Sequence, residues 1–576
     1  MQFGQFLPIA QWLPSYKKEN LQGDLIAGLT VGVMLIPQGM AYAMIAGLPP
    51  IYGLYASTIP LILYAVFGTS RQLAVGPVAM VSLLTAAGIG AITSDPSTYI
   101  LLAVSLALMV GVIQFGLGVF RLGFLVNFLS HPVVSGFTSA AALIIGLSQL
   151  KHLMGVDLPK SHHVHEILLS AIANVGQTNL AALGIGIGGI VLIKMSKKIH
   201  ANLPGPLVAV VVGILAVWGF SMTDMGVKIV GEVPGGLPAF GVPSVAFSSI
   251  QSLLPVALTI ALVSFMESIA VAKAIQARHK NYQVDANQEL VALGLANIGG
   301  AFFKSYPVTG GFSRTAVNDQ AGAKTGLASI ISAGLIVLTL LFLTPLFHFL
   351  PKAILASVIM VAVFGLIDTK EAIHLWKTDR TDFWMLLVTF VATLGIGIEQ
   401  GIGLGVVLSL AMVIYRTTRP HAARLGKVPG SSFYRNVERF EGLDDRPDLL
   451  VIRFDARLYF ANLSHFRKLL DEWVMEKGQR LKAVIVNAES ISSVDSSALH
   501  MLHDLTKDLR HQGVELYFSS VIGPVRDAMA RAHLVEEIGE EHFQMSIEDA
   551  VAVIDGKSGA ENSTEMLSSY TLQTNE

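Results

Sequence analysis

The sequence predicts an α-helical polytopic membrane protein of about fourteen transmembrane segments, arranged as two inverted seven-segment repeats and followed by a small α/β domain. Three observations predict it. The 576 residues are 52% hydrophobic and 14% charged, with a mean hydropathy of +0.60. That average hides two regimes, because apolar runs of helix length recur from Leu21 to Tyr415, whereas charges recur every few positions from Arg416 onward. Two short, interrupted apolar segments occupy corresponding places in the two halves. Strands alternate with helices from Ser432 to Gly556.

Composition excludes several classes of function. The formal net charge of -2, without a long basic run or aromatic ladder, gives no support for a nucleic-acid partner. Zero cysteines remove disulfides, thiol catalysis and thiolate metal sites. Met1 to Asn20 reads as a cytoplasmic lead-in and not as a signal peptide, since its apolar stretch is broken by Pro8 and Pro14 and followed by Lys17-Lys18.

Apolar segments long enough for a bilayer core of ~30 Å at ~1.5 Å per residue number about twelve. They cover roughly residues 24–46, 51–68, 97–119, 130–150, 177–195, 204–220, 250–276, 287–303, 324–346, 351–367, 381–398 and 400–416, within a transmembrane domain over 21–417. The two short segments begin near Gly76 and Gly311. One follows Arg71-Gln72-Leu73-Ala74-Val75-Gly76-Pro77 and the other Lys304-Ser305-Tyr306-Pro307-Val308-Thr309-Gly310. Each is a basic residue, a short extended piece and a glycine break ahead of a half-helix, third in its half of the chain. Such paired interruptions point to an inverted-repeat transporter with repeats at about 21–220 and 250–417 and a site at the midplane. Loop charges agree with this topology. With the N-terminus inside, Arg121, Lys194, Lys197, Lys198, Arg278, Lys280, Lys370, Lys377, Arg380, Arg416 and Arg419 fall in the cytoplasm, against Lys151, Lys160, Lys228 and Lys352 outside.

The second interruption carries the chemistry. Ser305 to Val308 reads as an extended piece held by Pro307, Gly310-Gly311 as a break, and Phe312 to Ala321 as a short helix that begins inside the bilayer. Its N-terminus presents a positive dipole end and free N–H groups beside the Ser313 hydroxyl and the Arg314 guanidinium, which is the chemistry of an anion site. A re-entrant turn, with Arg314 paired to a structural carboxylate, is the plainer alternative. In the first span Pro37 removes a helix hydrogen bond, and Gln38 and Tyr42, four apart, share a face from which both can donate to an anion or glue helices together. Glu267 sits in Leu262-Val263-Ser264-Phe265-Met266-Glu267-Ser268, six residues before Lys273, and so lies well inside the hydrocarbon. It reads either as a proton-accepting group beside the anion or as the permanent partner of Arg314.

Other polar features read as ordinary. His162, His163 and His165 with Glu166 form an external surface cluster, Lys324 an inside anchor, Glu399 part of a tight external turn, and Asp368 to Asp382 with Trp376 an amphipathic interfacial helix. In the soluble part, residues 449–454, 483–487 and 515–519 read as strands, and 462–477, 496–512 and about 523–532 as helices. They form one domain over 432–556 with a largely parallel core sheet, followed by a disordered tail over 557–576. Asp495 and Ser496 cap the helix that follows Ile491 to Val494, and Ser496 is also a candidate for phosphorylation.

These motifs resemble the sulfate permease (SulP) family, which includes solute carrier family 26, over nearly the whole chain. The motifs are Pro37-Gln38-Gly39-Met40-Ala41-Tyr42-Ala43, Gly76-Pro77-Val78-Ala79, Tyr282-Gln283-Val284-Asp285-Ala286-Asn287-Gln288-Glu289-Leu290 and Gly311-Phe312-Ser313-Arg314-Thr315-Ala316-Val317-Asn318. Val494-Asp495-Ser496-Ser497-Ala498 resembles a STAS domain. The resemblance implies fourteen segments in core and gate domains, elevator-type alternating access and a homodimer in the plasma (cell inner) membrane, with both termini cytoplasmic and lipid as surroundings. It maps an anion site onto Gln38, Tyr42, the amides near Val78 and Ala79, Ser313 and Arg314, makes Glu267 similar to the acid of proton-coupled plant and bacterial members, and makes Ser496 the phosphorylated serine by similarity. No cofactor or metal is implied. The expected partner is a small inorganic or organic anion with a proton as coupling ion. The Ser313-Arg314 pair with Glu267 favours proton-coupled sulfate uptake, and fumarate, succinate or bicarbonate are the alternatives within the family. An anion-sensing STAS receptor without transport is the alternative of another class, and nothing in the chain suggests an enzyme.

Overall fold

The computed structural model describes residues 7–124, 130–158, 164–199, 204–243, 247–279 and 282–556. Lys160, His162, His163, Lys280 and the tail over 557–576 lie outside the described residues. The chain divides into two compact units, one through Leu410 and one from Ala411.

The first unit is built of helices. In chain order they are α1 Lys18–Ile45, α2 Ile59–Phe67 (preceded by a turn of helix Ile51–Tyr55), α3 Ala79–Gly90, α4 Pro96–Val119, α5 His131–Ser148, α6 Leu180–Ile199 and α7 Gly205–Gly219. Then come α8 Phe247–His279, α9 Ala286–Ala301, α10 Phe312–Gln320, α11 Leu327–Leu338, α12 Lys352–Phe364, α13 Arg380–Gly395 and α14 Ile398–Thr418. Among the described residues, six stretches are helical, long and apolar enough to cross a membrane: Lys18–Ile45, Pro96–Val119, His131–Met154, Ile250–His279, Leu327–Phe347 and Lys352–Thr378.

Local chemistry sets the helix starts. Asp95 accepts from Thr98 N at 2.8 Å ahead of Pro96 and so begins α4. Asp285 accepts from the amides of Asn287 and Gln288 at 2.8 and 2.9 Å and begins α9. Asp379 caps α13, which ends the preceding helix at Thr378, so the interfacial helix is Thr369–Thr378 and shorter than the sequence suggested. Gly397, at φ +124°, makes the turn between α13 and α14, and Glu399 falls in the first turn of α14 and not in the turn itself. A helix at Val164–Ala173 was not expected from the sequence.

Two sets of helices pack tightly. In one, α4 lies on α9 and α8, α9 on α2, and α1 on α11. Backbones touch there, since a Cβ at Gly294 would meet Phe115 N at 2.5 Å and one at Gly28 would meet Ala328 O at 2.6 Å. In the other, α5 lies on α13 and α12, and α6 on α12 and α7. α1 touches α12 and α7, and α3 touches α5, which joins the two sets. Between α2 and α3 lies β1 Val75–Gly76, and between α9 and α10 lies β2 Thr309–Gly310. They pair antiparallel, Val75 with Gly310 and Gly76 with Thr309.

The second unit holds a six-stranded sheet in the order β4-β3-β5-β6-β7-β8, with β3 Ala422–Lys427, β4 Tyr434–Asn436, β5 Leu449–Phe454, β6 Ala483–Asn487, β7 Glu515–Ser519 and β8 Phe543–Gln544. β5 to β8 run parallel, and β3 is antiparallel to both β4 and β5. The helices are α15 Leu463–Lys477, α16 Ser496–His511, α17 Gly523–Arg531, α18 Leu534–Ile538 and α19 Ile547–Ile554. Leu450, Ile452, Val484, Val486, Leu516 and Phe518 bury one face with residues of α15 to α18, while Val451, Ile485 and Tyr517 bury the other against α19. Strands buried on both faces read as continuous apolar runs, and these three were legible for that reason. The sheet also begins upstream of residue 432, at β3, whose run Ala-Ala-Arg-Leu-Gly-Lys has no β-branched residue to announce a strand.

Candidate anion site

The site is built where the two extended pieces cross. Beyond the β1–β2 pairing, Gly311 N donates to Ala74 O at 3.1 Å, and Ala74 N donates to Thr315 Oγ1 at 3.0 Å. Irregular backbone inside an apolar fold must find its partners within the protein. α8 and α9 supply them. Thr309 Oγ1 donates to Ser264 O at 2.8 Å, Gly310 N donates to Ser268 Oγ at 2.8 Å, and Val308 N donates to Asn297 Oδ1 at 2.8 Å. Asn297 Nδ2 reaches Gln114 Oε1 at 3.1 Å, and Gln114 Nε2 reaches Ser264 Oγ at 2.8 Å, so α4, α8 and α9 share one buried network.

From this crossing the two half-helices leave with their N-termini adjacent. A Cβ at Gly311, the residue before α10, would lie 3.2 Å from Cγ1 of Val78, the residue before α3. The first helical bonds are Ser82 N to Val78 O and Thr315 N to Gly311 O, each at 3.0 Å. The amides of Ala79, Met80 and Val81, and of Phe312, Ser313 and Arg314, have no acceptor among the described residues. Two positive dipole ends and their free N–H groups therefore meet at one place.

Arg314 adds a full charge to them. It is 1% exposed. Its Nη1 donates to Pro77 O, while Nε and Nη2 are buried without a partner. The guanidinium lies over both glycine breaks, since a Cβ at Gly311 would stand 3.1 Å from Nη2 and one at Gly76 3.4 Å. A buried cation with two idle donors beside two helix N-termini is costly until an anion reaches it. Phe312 and Ser313 are exposed, which opens one side of the first turn of α10.

The other expected residues take distinct places. Tyr42, on α1, is buried, and with Glu267 on α8 and Tyr306 it lies within electrostatic reach of the Arg314 guanidinium. Glu267 Oε2 is buried without a partner, and no ion pair joins Glu267 to Arg314 among the described residues. Gln38 is buried with Oε1 unpaired, and no hydrogen bond joins it to the rest of the site among the described residues.

Sequence reasoning did not single out Ser264, Ser268, Asn297, Gln114 or Thr309. The available signal was that Gln114, Asn297 and the two serines interrupt otherwise apolar runs, where a polar group needs a partner. Among the described residues no group of acidic and histidine side chains has metal-site spacing.

In the second unit, Asp495 alone caps α16. Its Oδ1 accepts from Ala498 N at 2.8 Å and its Oδ2 accepts from Phe460 N at 2.9 Å. Ser496, expected to share that role, is instead exposed at the first position of the helix, beside Arg467 and His500 in a shallow depression. One acceptor at the right φ and ψ suffices for the cap, which leaves the serine hydroxyl free to face outward.

Comparison with known proteins yields a consistent set. Residues 21–389 match the Sulfate permease family and residues 442–550 the STAS domain. The chain is 39% identical over 565 residues to "Sulfate transporter 4.1, chloroplastic" of Arabidopsis thaliana, covering 95% of this chain and 82% of that protein. It is 34% identical over 569 residues to "Sulfate transporter 3.1" of the same plant, covering 95% and 86%. The structure of the murine Solute Carrier 26 family member A9 anion transporter in the inward-facing state matches with a TM-score of 0.87 at 26% identity, covering 96% of this chain and 94% of that one. The transmembrane domain of a cyanobacterium bicarbonate transporter shares the fold, with a TM-score of 0.60 at 23% identity over 69% of this chain and 98% of that one.

Proposed function

Since the chain belongs to the sulfate permease family, we propose that it is an anion transporter that takes up sulfate together with protons by elevator-type alternating access. The observation that carries this reading is the meeting of two half-helix N-termini over the buried, half-satisfied guanidinium of Arg314. Sulfate is a compact oxyanion whose oxygens accept from many donors at once. Free amides at Ala79 and Ser313, the Ser313 hydroxyl and Arg314 Nε and Nη2 offer such a set, with Gln38 and Tyr42 closing it from α1. A dicarboxylate or bicarbonate would use the same donors, and the names of the similar plant proteins favour sulfate.

Coupling follows from charge. An ionised Glu267 within reach of Arg314 cancels part of the potential that attracts an anion, whereas a protonated one leaves the guanidinium to the substrate. Proton and anion then bind with mutual assistance, and by linkage each raises the affinity of the other. The fourteen segments would form two inverted repeats, α1 to α7 and α8 to α14, as core and gate of each subunit in a dimer. The excess of basic residues in alternate loops supports an orientation with both termini in the cytoplasm, and the plasma membrane is the proposed location. Ser496, exposed at a helix N-terminus where a phosphate is favoured, suits a regulatory phosphorylation.

The test is uptake of radiolabelled sulfate into proteoliposomes with and without an inward proton gradient, competed by fumarate, succinate and bicarbonate. Gradient-stimulated accumulation blocked by sulfate-like anions is expected, and Glu267→Gln should bind sulfate yet lose the acceleration. A variant that keeps the full gradient effect removes Glu267 from the coupling. Anion binding without flux in the native protein would favour a sensing receptor.

A further inference from the structure

We propose that Gln72, Thr315 and Asn318 are positioning residues that fix the separation of the two half-helix N-termini and thereby set which oxyanion the site accepts. The inference rests on the anion-site reading, and it concerns residues that touch the backbone of the site.

Three side chains of α10 grip one extended segment of the opposite half of the chain. Asn318 Nδ2 donates to Gln72 O at 2.8 Å, Thr315 Oγ1 accepts from Ala74 N at 3.0 Å, and Arg314 Nη1 donates to Pro77 O. Asn318 is four residues from Arg314 and three from Thr315, so the three share one face of the helix. They meet the segment at residues 72, 74 and 77, immediately ahead of the first turn of α3. Gln72 locks the far end of this contact. It is 2% exposed. Its Oε1 accepts from Tyr282 Oη at 2.7 Å, and its Nε2 donates to Ala323 O at 3.1 Å, just beyond the C-terminus of α10. Both halves of its amide are therefore committed to holding the 72–77 segment alongside α10, antiparallel to it.

Thr315 and Asn318 are themselves buried, at 0% and 1% exposure, whereas Phe312 and Ser313 are exposed. Thr315 Oγ1 and Asn318 Nδ2 are spent on the 72–74 backbone. What they control is the distance between the amides at Ala79 and those at Ser313, and hence the radius of the ion that can bridge them. Misplacement by ~1 Å in such a constellation costs up to about 100-fold.

The experiment measures thermal stabilisation of the purified full chain, and inhibition of proteoliposome uptake, by sulfate, selenate, molybdate, thiosulfate and succinate. The variants are Thr315→Val, which keeps shape but removes the acceptor for Ala74 N, and Thr315→Ser, which keeps the acceptor. Thr315→Val should weaken binding of the preferred anion about tenfold and change its ratio to the larger anions, with maximal uptake nearly unchanged, and Thr315→Ser should restore the native ratio. A uniform loss across all anions, or a fall in maximal rate with the ratio intact, assigns these residues to stability alone and overturns the proposal. If Thr315→Val does not fold, Gln72→Met, which loses the Tyr282 and Ala323 contacts but keeps the carbonyl for Asn318, is read by the same ratio. Native protein that prefers succinate over sulfate defeats the sulfate assignment while the ratio still judges the positioning role. Native protein that binds none of these anions defeats both.

Discussion

Arg314 carries its charge at 1% exposure, with two of its donor nitrogens unpaired and no carboxylate in ion-pair contact with it among the described residues. Such a group destabilises the empty state by a few kcal/mol, and the anion offsets it. Arg314→Gln separates the two effects, because a glutamine keeps a polar, uncharged side chain at this position. The variant should melt at a higher temperature than the native protein without anion, and should lose about 100-fold or more in sulfate affinity, read as the loss of the sulfate-induced rise in Tm. A variant less stable than the native protein, yet still stabilised by sulfate, would refute the assignment of Arg314 to the site. Arg314 and Glu267 were legible in the sequence because an ionisable side chain inside an apolar run is costly and needs a reason. Thr315, Asn318 and Gln72 were not, since their partners lie 241 and 246 residues away and no local pattern announces the pairing.

Helices and strands were more legible than the contacts among them, because the apolar period is local while the anchoring of a half-helix is not. The starts of α4, α9 and α13 follow Asp caps that the sequence displays. The anchor of the first half-helix is Glu289, at 0% exposure on α9. It accepts from Tyr64 Oη at 2.6 Å, Thr69 N at 2.7 Å, Thr69 Oγ1 at 2.6 Å and Ser70 N at 3.1 Å. These donors sit at the end of α2 and in the turn that leads to β1, so one carboxylate holds the entry to α3 against the neighbouring helix. Glu289 stood in a family motif, but nothing in that motif says which turn it holds. Glu289→Gln can keep an oxygen towards Thr69 and Ser70, but its Nε2 then makes Tyr64 Oη switch from donor to acceptor, and charge-assisted bonds become neutral ones, at a cost of about 1 kcal/mol. Its Tm should fall by the same amount with and without sulfate, because the anchor acts on the fold and not on the ion. A native Tm in thermal unfolding would show that the turn does not depend on the carboxylate.

At the scale of the whole molecule, each unit has a core of its own. The helical unit is organised around one large apolar cluster from Val31 to Val363, and the sheet unit around two clusters on the faces of β5, β6 and β7. A unit that closes its own core should fold when separated from the other. The sheet unit also carries its own electrostatic tie, since Arg446 bridges Asp448 and Asp555, each at 2.8 Å, and thereby joins the entry of β5 to the residue that ends α19. The hydrogen bonds from Arg446 hold the Asp448 carboxyl below the usual carboxylate range. A group with a depressed folded pKa contributes stability that is fully present above its unfolded value, about 3.9, and is lost as pH falls through the lower folded value. A fragment of residues 420–556 should therefore unfold in urea in a single cooperative transition. Its midpoint should change little for this pair between about pH 5 and 7 and fall below about pH 4. Asp448→Asn should lower the midpoint at neutral pH and flatten the acid decline. A fragment without a cooperative transition would mean that the sheet unit needs the helical one to fold, and an unaltered acid decline in Asp448→Asn would mean that other carboxylates carry it.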